Sequence, residues 1–202
     1  MGEFDPRSSA TAAFALRDKK VRFERIQAEA EGFGLEVEEI DDGRPWGGFV
    51  KFKQACLEEF IKAYWTSFMT DFWQEVLRAY LARAAKAKPP LYLDAKLLLV
   101  APGQRLSLQS HTLRSELWRV LEGPVVVVTG TNEEKVSDRE VRPGEVIRIG
   151  CGQLHRLAAP PSGWGVVAEI WLHESAKTPS YEADIRRYDD DYWFVAEDPP
   201  AS

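Results

Sequence analysis

The chain is poor in the residues that usually betray a protein's chemistry. It has two cysteines, Cys56 and Cys151, far apart, and three histidines, His111, His155 and His173. A small secreted scaffold held by disulfides would need more cysteines, so free thiols in a reducing compartment are expected. No apolar run reaches the ~18 residues that a membrane span needs. The opening stretch, MGEFDPRSSATAAFALRDKK, carries acidic residues near its start and has no apolar core, so no secretory leader is expected and the protein is expected to be cytoplasmic. There is no basic block: Asp and Glu outnumber Lys and Arg by 32 to 26, a net charge of -6. Nucleic acid is therefore excluded as an expected partner, because phosphate-backbone binding relies on clustered cations. No internal repeat is visible.

What is present is a core. The 202 residues suit one domain with an appendage, and 45% are hydrophobic. Seven Trp, ten Phe and six Tyr promise much buried aromatic area or an aromatic-lined pocket.

The pattern changes near Pro89-Pro90. Before it, apolar residues recur at helical spacing. A helix is expected over about Ser9 to Glu31, capped by Ser8 or Ser9 and ended by Gly32 and Gly34. Leu35 to Ile40 alternates like an edge strand, and Asp41-Asp42-Gly43 makes a turn. From Phe52 to Ala87 an aromatic stripe (Phe60, Tyr64, Trp65, Phe68, Phe72, Trp73 among others) steps at helical intervals, predicting one long helix, or two with a break near Thr66-Ser67. Such a stripe is expected to pack on the rest of the fold or on a second copy. Its polar face mixes signs, unlike a membrane-surface helix, so no membrane partner is expected. After Pro90, short β-rich runs at Leu97–Val100, Leu117–Leu121, Val125–Thr129, Val146–Ile149 and Val166–Leu172 are separated by Gly and Pro. That spacing predicts a mainly β sandwich or barrel. The chain thus divides into 1–43 (helix and edge strand), 44–90 (an entry motif and helical insertion) and 91–202 (a β-barrel with a C-terminal tail).

Gln109 and His111 are two apart, so in a strand both point to one face. Glu116 follows after a tight bend, and His155 follows a second turn, Gly150-Cys151-Gly152. Two hairpins can deliver these four donors to one centre, and imidazole with carboxylate suits a divalent metal. Two histidines considered alone read as ordinary hydrogen-bonded loop residues.

The spacing, however, resembles the two signature motifs of the cupin superfamily. Gly103, Gln109, His111, Glu116 and Gly123 match the first. Gly144, Gly150-Cys151-Gly152 and His155 match the second, with Gly150 where a Pro is usual. Within the cupins, Pro102 to His111 looks like the cupin domain of type II mannose-6-phosphate isomerases, which also uses Gln at the first ligand position. Arg114-Ser115-Glu116, Trp118, His155-Arg156-Leu157, Asp184 to Tyr192 and the opening Arg44-Pro45-Trp46-Gly47 are similar too. The chain departs from that family at Thr112, Leu113 and Leu117, where histidines are usual, and in the insertion over 52–87.

The resemblance implies a double-stranded β-helix, or jelly-roll barrel. It implies one divalent ion, zinc first and manganese, iron, nickel or cobalt as alternatives, on Gln109, His111, Glu116 and His155. It implies a sugar or sugar phosphate as the ligand, aldose–ketose isomerisation through an enediol, and a homodimer. Lys96, Arg105, Arg114 and Arg187 match basic residues of the family and are the expected phosphate-binding groups. Glu116, Lys96 and Arg187 are the expected catalytic set. If Glu116 ligates the metal, the base falls to Glu169. His173 is expected to be structural or exposed, and Trp46 to plug a barrel end. Two other readings stay open: a non-catalytic cupin that binds a sugar or metal, and a different cupin enzyme such as a free-sugar isomerase or dioxygenase. Gln109 in place of a histidine argues against redox iron, which favours two His and a carboxylate.

Overall fold

A computed structural model describes residues 9–66 and 93–192 except 176, and between them only 75, 77–79, 81, 82 and 86. Helix α1 (Ser9–Gly32) opens the described chain. It turns Phe23, Ile26 and Ala30 inward at helical spacing, and all three are buried. The helix ends where Gly34 takes φ +77, with Leu35 N–H donating to Ala30 O at 3.0 Å and Gly34 N–H to Glu31 O at 2.9 Å. This paired closure requires a left-handed residue, which glycine supplies without a Cβ clash.

Two antiparallel sheets follow. One has six strands in the order β1 (Val37–Asp41), β2 (Gly47–Phe52), β3 (Leu93–Val100), β10 (Gly165–His173), β5 (Arg114–Glu122) and β8 (Val146–Ile149). The other has five: β11 (Arg186–Asp189), β4 (Leu108–Ser110), β9 (Leu154–Ala158), β6 (Val125–Gly130) and β7 (Val136–Val141). The fold is mainly β, as expected, with the helical segment at its N-terminal side.

The central strands of the six-stranded sheet, β3, β10 and β5, are buried on both faces, and alternation sorts their side chains. From β3, Leu93, Ala95, Leu97 and Leu99 join a cluster with α1 residues Phe23, Ile26 and Ala30, while Leu98 and Val100 join a second cluster inside the barrel. From β10, Val166, Ala168, Ile170 and Leu172 face the helices, and Val167 faces inward. Burial on both sides explains why these strands read as largely apolar runs, interrupted by Lys96 in β3 and Glu169 in β10. The barrel interior is apolar at one end, with Val120, Val125, Val141 and Val167, and carries its polar side chains elsewhere.

The expected helix from Phe52 needs correcting at its start. Phe52 closes β2, paired with Val37 and Ala95, and its ring packs against Phe60 with centroids 5.5 Å apart. Helix begins only at α2 (Leu57–Ile61) and passes into a π-helical turn over Lys62–Thr66. Within the stripe, Phe60, Ile61, Tyr64, Trp65 and Leu77 are buried in the cluster shared with α1 and the sheet. Phe68, Phe72 and Trp73 lie outside the described residues. Among the described residues no helix is long and apolar enough to cross a membrane.

Gly47 explains the entry motif. Its φ is +138, and a Cβ there would lie 1.9 Å from Leu99 O, so only glycine lets β2 approach β3 this closely. Gly47→Ala is expected to cost about 3 kcal/mol or more, the range of severe backbone and overpacking changes, read as a shift in urea midpoint at unchanged slope.

Candidate functional site

The candidate centre sits where the ends of β4, β5 and β9 meet. Gln109 lies opposite His155 in the β4–β9 pair, and Glu116 lies between Trp171 of β10 and Ile149 of β8. Ligand atoms of His111, Glu116 and His155 all lie within 4.8 Å of one another, and all three residues are buried. His111 Nε2 is 3.3 Å from Glu116 Oε1, and His155 Nε2 is 3.4 Å from Glu116 Oε2. The imidazole rings are 4.9 Å apart. Gln109 brings its amide to the same place, Nε2 standing 3.4 Å from His111 Nε2 while Oε1 accepts from Ser107 Oγ at 2.8 Å. Turning that amide over would aim its oxygen at the centre.

Both imidazoles are held in one tautomer. His155 Nδ1–H donates to Gln153 O at 3.0 Å, and His111 Nδ1–H donates to Asp184 O, so each Nε2 carries the lone pair. Burial is the largest influence on both histidines and keeps them neutral, pushing His111 down to about 4. Burial alone would push the Glu116 carboxyl up, but His155, His111 and Arg114 outweigh it and hold it at about 2. Two neutral imidazoles and a carboxylate form a donor set for a divalent cation. Glu116 Oε2 and His155 Nε2 are buried with no hydrogen-bond partner. Buried lone pairs left unmatched cost free energy, and an ion between them would satisfy both. The residues present therefore fit a metal.

The turns carrying these candidate donors are tied together. Gly152, at φ +76, donates its N–H to His111 O at 2.7 Å, joining the two motifs. The Asp184 carboxylate accepts from Thr112 N–H (3.0 Å), Thr112 Oγ (2.9 Å), Leu113 N–H (3.0 Å) and Ser180 Oγ (2.7 Å). An amide offers only one accepting oxygen. Asp184→Asn is therefore expected to cost about 2 kcal/mol of stability and to weaken metal binding about tenfold to hundredfold, the second read by chelator competition.

Beside the centre lies a cavity of about 580 Å³. Lys96, Glu169 and Trp118 form one cross-strand row on β3, β10 and β5, and all three line it. Trp118 Nε1–H donates to Glu169 Oε1 at 2.9 Å. Burial, reinforced by the Glu116 charge and opposed by Lys96 and Arg114, pushes the Glu169 carboxyl up to about 8. Lys96 Nζ lies 3.8 Å from the Trp171 ring centroid and 4.6 Å from that of Phe49, and it pairs with Glu182.

The residues expected from sequence divide accordingly. Lys96, Gln109, Arg114 and Arg187 line the cavity; His111, Glu116 and His155 do not. Arg114 is buried against the centre, with Nε donating to Glu116 Oε1 at 2.7 Å and an amino nitrogen 3.1 Å from His111 Nε2. Its guanidinium stacks on Trp171 at 3.6 Å, so it stands between centre and cavity. Arg105 lies outside the cavity lining, held bidentately by Asp191 at 2.6 and 2.7 Å. Trp46, expected to plug a barrel end, lines the cavity and is only partly buried against the inner cluster. His173 is buried, 3.2 Å from Asp94 and accepting Ser180 N–H at 2.9 Å.

Sequence reasoning passed over Trp171, Phe49 and Glu182. Trp171 was within reach, since Val166–Leu172 reads as a strand and residues 167, 169 and 171 must share a face. Glu182 follows an irregular turn and carries no such signal.

Residues 72–190 match the sequence profile of the family described as Mannose-6-phosphate isomerase C-terminal. The chain belongs to that family. Its members are cupin-type proteins, and the two antiparallel sheets of this member have the corresponding architecture. No curated protein matches the chain. Among solved structures, a recombinant oxalate oxidase in complex with glycolate is 19% identical, with a TM-score of 0.40, over 47% of this chain and 45% of its own. Oxalate decarboxylase from Lactobacillus farciminis, as a formate complex, is 16% identical, with a TM-score of 0.41, over 52% and 29%. CapF with an inhibitor is 15% identical, with a TM-score of 0.47, over 77% and 34%. This member of the mannose-6-phosphate isomerase C-terminal family spans less than two thirds of the length of each of these three structures.

Proposed function

We propose that this protein is a metal-dependent aldose–ketose isomerase acting on a sugar phosphate, with zinc on His111, Glu116 and His155 and Gln109 as a fourth donor. The observation that carries the reading is the row Lys96, Glu169 and Trp118 on a cavity wall next to that donor set. When bound, the ion supplies electrophilic stabilisation of negative charge on the substrate oxygens. Glu169 takes the proton from the hydroxyl-bearing carbon next to the carbonyl and returns it to the former carbonyl carbon, while the hydroxyl proton passes to the former carbonyl oxygen, giving an enediol between the two steps. A carboxyl near neutrality suits both transfers. Glu116, engaged with both imidazoles and Arg114, is a ligand in this scheme and not the base. Trp118 fixes the Glu169 carboxyl, and Arg114 lies where a developing oxyanion would be stabilised. Lys96 and Arg187 hold the phosphate. A homodimer belongs to the same proposal and is read by light scattering.

A second reading, a metal-binding cupin without turnover, is favoured by one observation: none of the three clustered ligands lines the cavity. Interconversion of mannose 6-phosphate with its 2-ketose, assayed on zinc-, manganese- and cobalt-loaded protein, decides between them. Turnover that disappears with chelator and returns with metal supports the isomerase. One bound metal with no turnover on any hexose or pentose phosphate leaves the second reading.

A further inference from the structure

The segment after β10 returns along the cavity, and one of its side chains, Glu182, lines it. Glu182 pairs with Lys96, whose side chain is 3% exposed, while Glu182 itself is 53% exposed. The two partners are therefore unequal. Glu182 regains full hydration by swinging outward. Lys96 cannot follow, because it is caged between Trp171 and Phe49 and opens only into the cavity. A buried cation left alone is costly, whereas one handed from anion to anion is not. Glu169, directly across the sheet from Lys96, is no substitute, being fixed on the central strand by Trp118.

We infer that Glu182 is an exchangeable internal counter-ion: it occupies the Lys96 site by ion pairing, and gives way when the phosphoryl group of a ligand takes its place. This rests on the sugar-phosphate reading above and names the anion anchor within it. It also makes Glu182 a specificity-determining residue, because a neutral sugar brings nothing to displace it.

Inorganic phosphate is the probe, titrated calorimetrically into metal-free protein so that no ion contributes, with chloride at equal ionic strength as the blank. Removing the competitor in Glu182→Gln is expected to tighten phosphate binding by about tenfold or more, the scale of one charge-assisted contact. Lys96→Met is expected to abolish it. Equal affinity in wild type and Glu182→Gln, phosphate binding that survives Lys96→Met, or no binding to either wild type or Glu182→Gln would overturn the inference. Should Lys96→Met fail to fold, the wild-type and Glu182→Gln comparison decides alone. Phosphate exchange without turnover on any sugar phosphate would defeat only the isomerase reading. Turnover with a KM for sugar phosphate that ignores Glu182→Gln would defeat only the counter-ion.

Discussion

Replacing His111 and His155 together by alanine is expected to bring bound divalent metal from about one ion per chain to background. The size of the effect follows from the donor set. Zinc sites of four protein ligands are worth about 10–16 kcal/mol, so two donors account for about 6 kcal/mol, or about four orders of magnitude in affinity. Glu116 would remain, but a carboxylate next to Arg114, with no imidazole nearby, has its charge already matched. Both histidines are buried and His155 packs edge-on against Trp118, ring centroids 5.5 Å apart, so the double variant is expected to lose some stability while the rest of the inner cluster keeps the chain folded. Mass-spectrometric metal content after exposure to zinc, manganese, nickel, iron and cobalt, with circular dichroism on the same samples, measures both. Metal retained by the double variant would move the site elsewhere. Wild type that takes up none of the five ions would remove the metal from the proposal.

Glu169→Gln is expected to lower turnover by about a hundredfold to ten-thousandfold, the usual contribution of a positioned acid–base group, with metal content unchanged. Glutamine keeps an oxygen for Trp118 Nε1–H and matches the shape, so packing is preserved. The same variant carries a second signature. Burial raises the folded carboxyl from 4.5 to about 8, so between those values the folded chain keeps a proton that the unfolded chain has released. Stability then declines as pH rises through that window, because the folded state binds the extra proton. Metal-free Glu169→Gln lacks this decline and is expected to be more stable than metal-free wild type by about 2–4 kcal/mol at pH 8, with the difference vanishing near pH 4. Chemical denaturation at several pH values reads it. A variant that loses turnover without the altered pH dependence would place Glu169 in a solvated environment and weaken its assignment as base.

The parts of this protein that were legible in sequence are those whose physics is local. The candidate donors Gln109, His111, Glu116 and His155 sit in two short motifs, but these are not the expected hairpins: the β4–β5 and β8–β9 turns each cross from one sheet to the other, and only the second, Gly150-Cys151-Gly152, is marked by glycine. The central strands β3 and β10 were visible as apolar runs because both faces are buried. Other strands were invisible for the opposite reason. β7 reads VSDREV, with every residue but Val141 exposed, and an edge strand wet on both faces has no hydrophobic period. β4 is three residues long, too short to carry a pattern. The start of the insertion was misread because Phe52 continues the helical spacing of Phe60 while its backbone belongs to β2; pairing with two neighbours overrode local periodicity. The cavity was the least legible. Its wall draws on residues near 44–49, 96–98, 169–171 and 182–192, and only the folded sheet order makes them neighbours. Arg105 shows the converse, since a basic residue close to the ligands in sequence points its charge to the tail segment instead.

Strand β10 lies at the middle of the six-stranded sheet, hydrogen-bonded on both edges and covered on both faces. Its amides from Val167 to Trp171 should therefore be among the last to exchange with deuterium, opening only with the whole domain. The segment bearing Glu182 contacts the barrel mainly through side chains and the short β11 pairing, and should exchange orders of magnitude sooner. The cavity is thus half anvil and half clasp. A change of ligand, by evolution or by design, would meet least resistance at the exposed positions of residues 177–192, around the buried Ser180 and Asp184, where sequence can drift without disturbing the strand that carries Glu169.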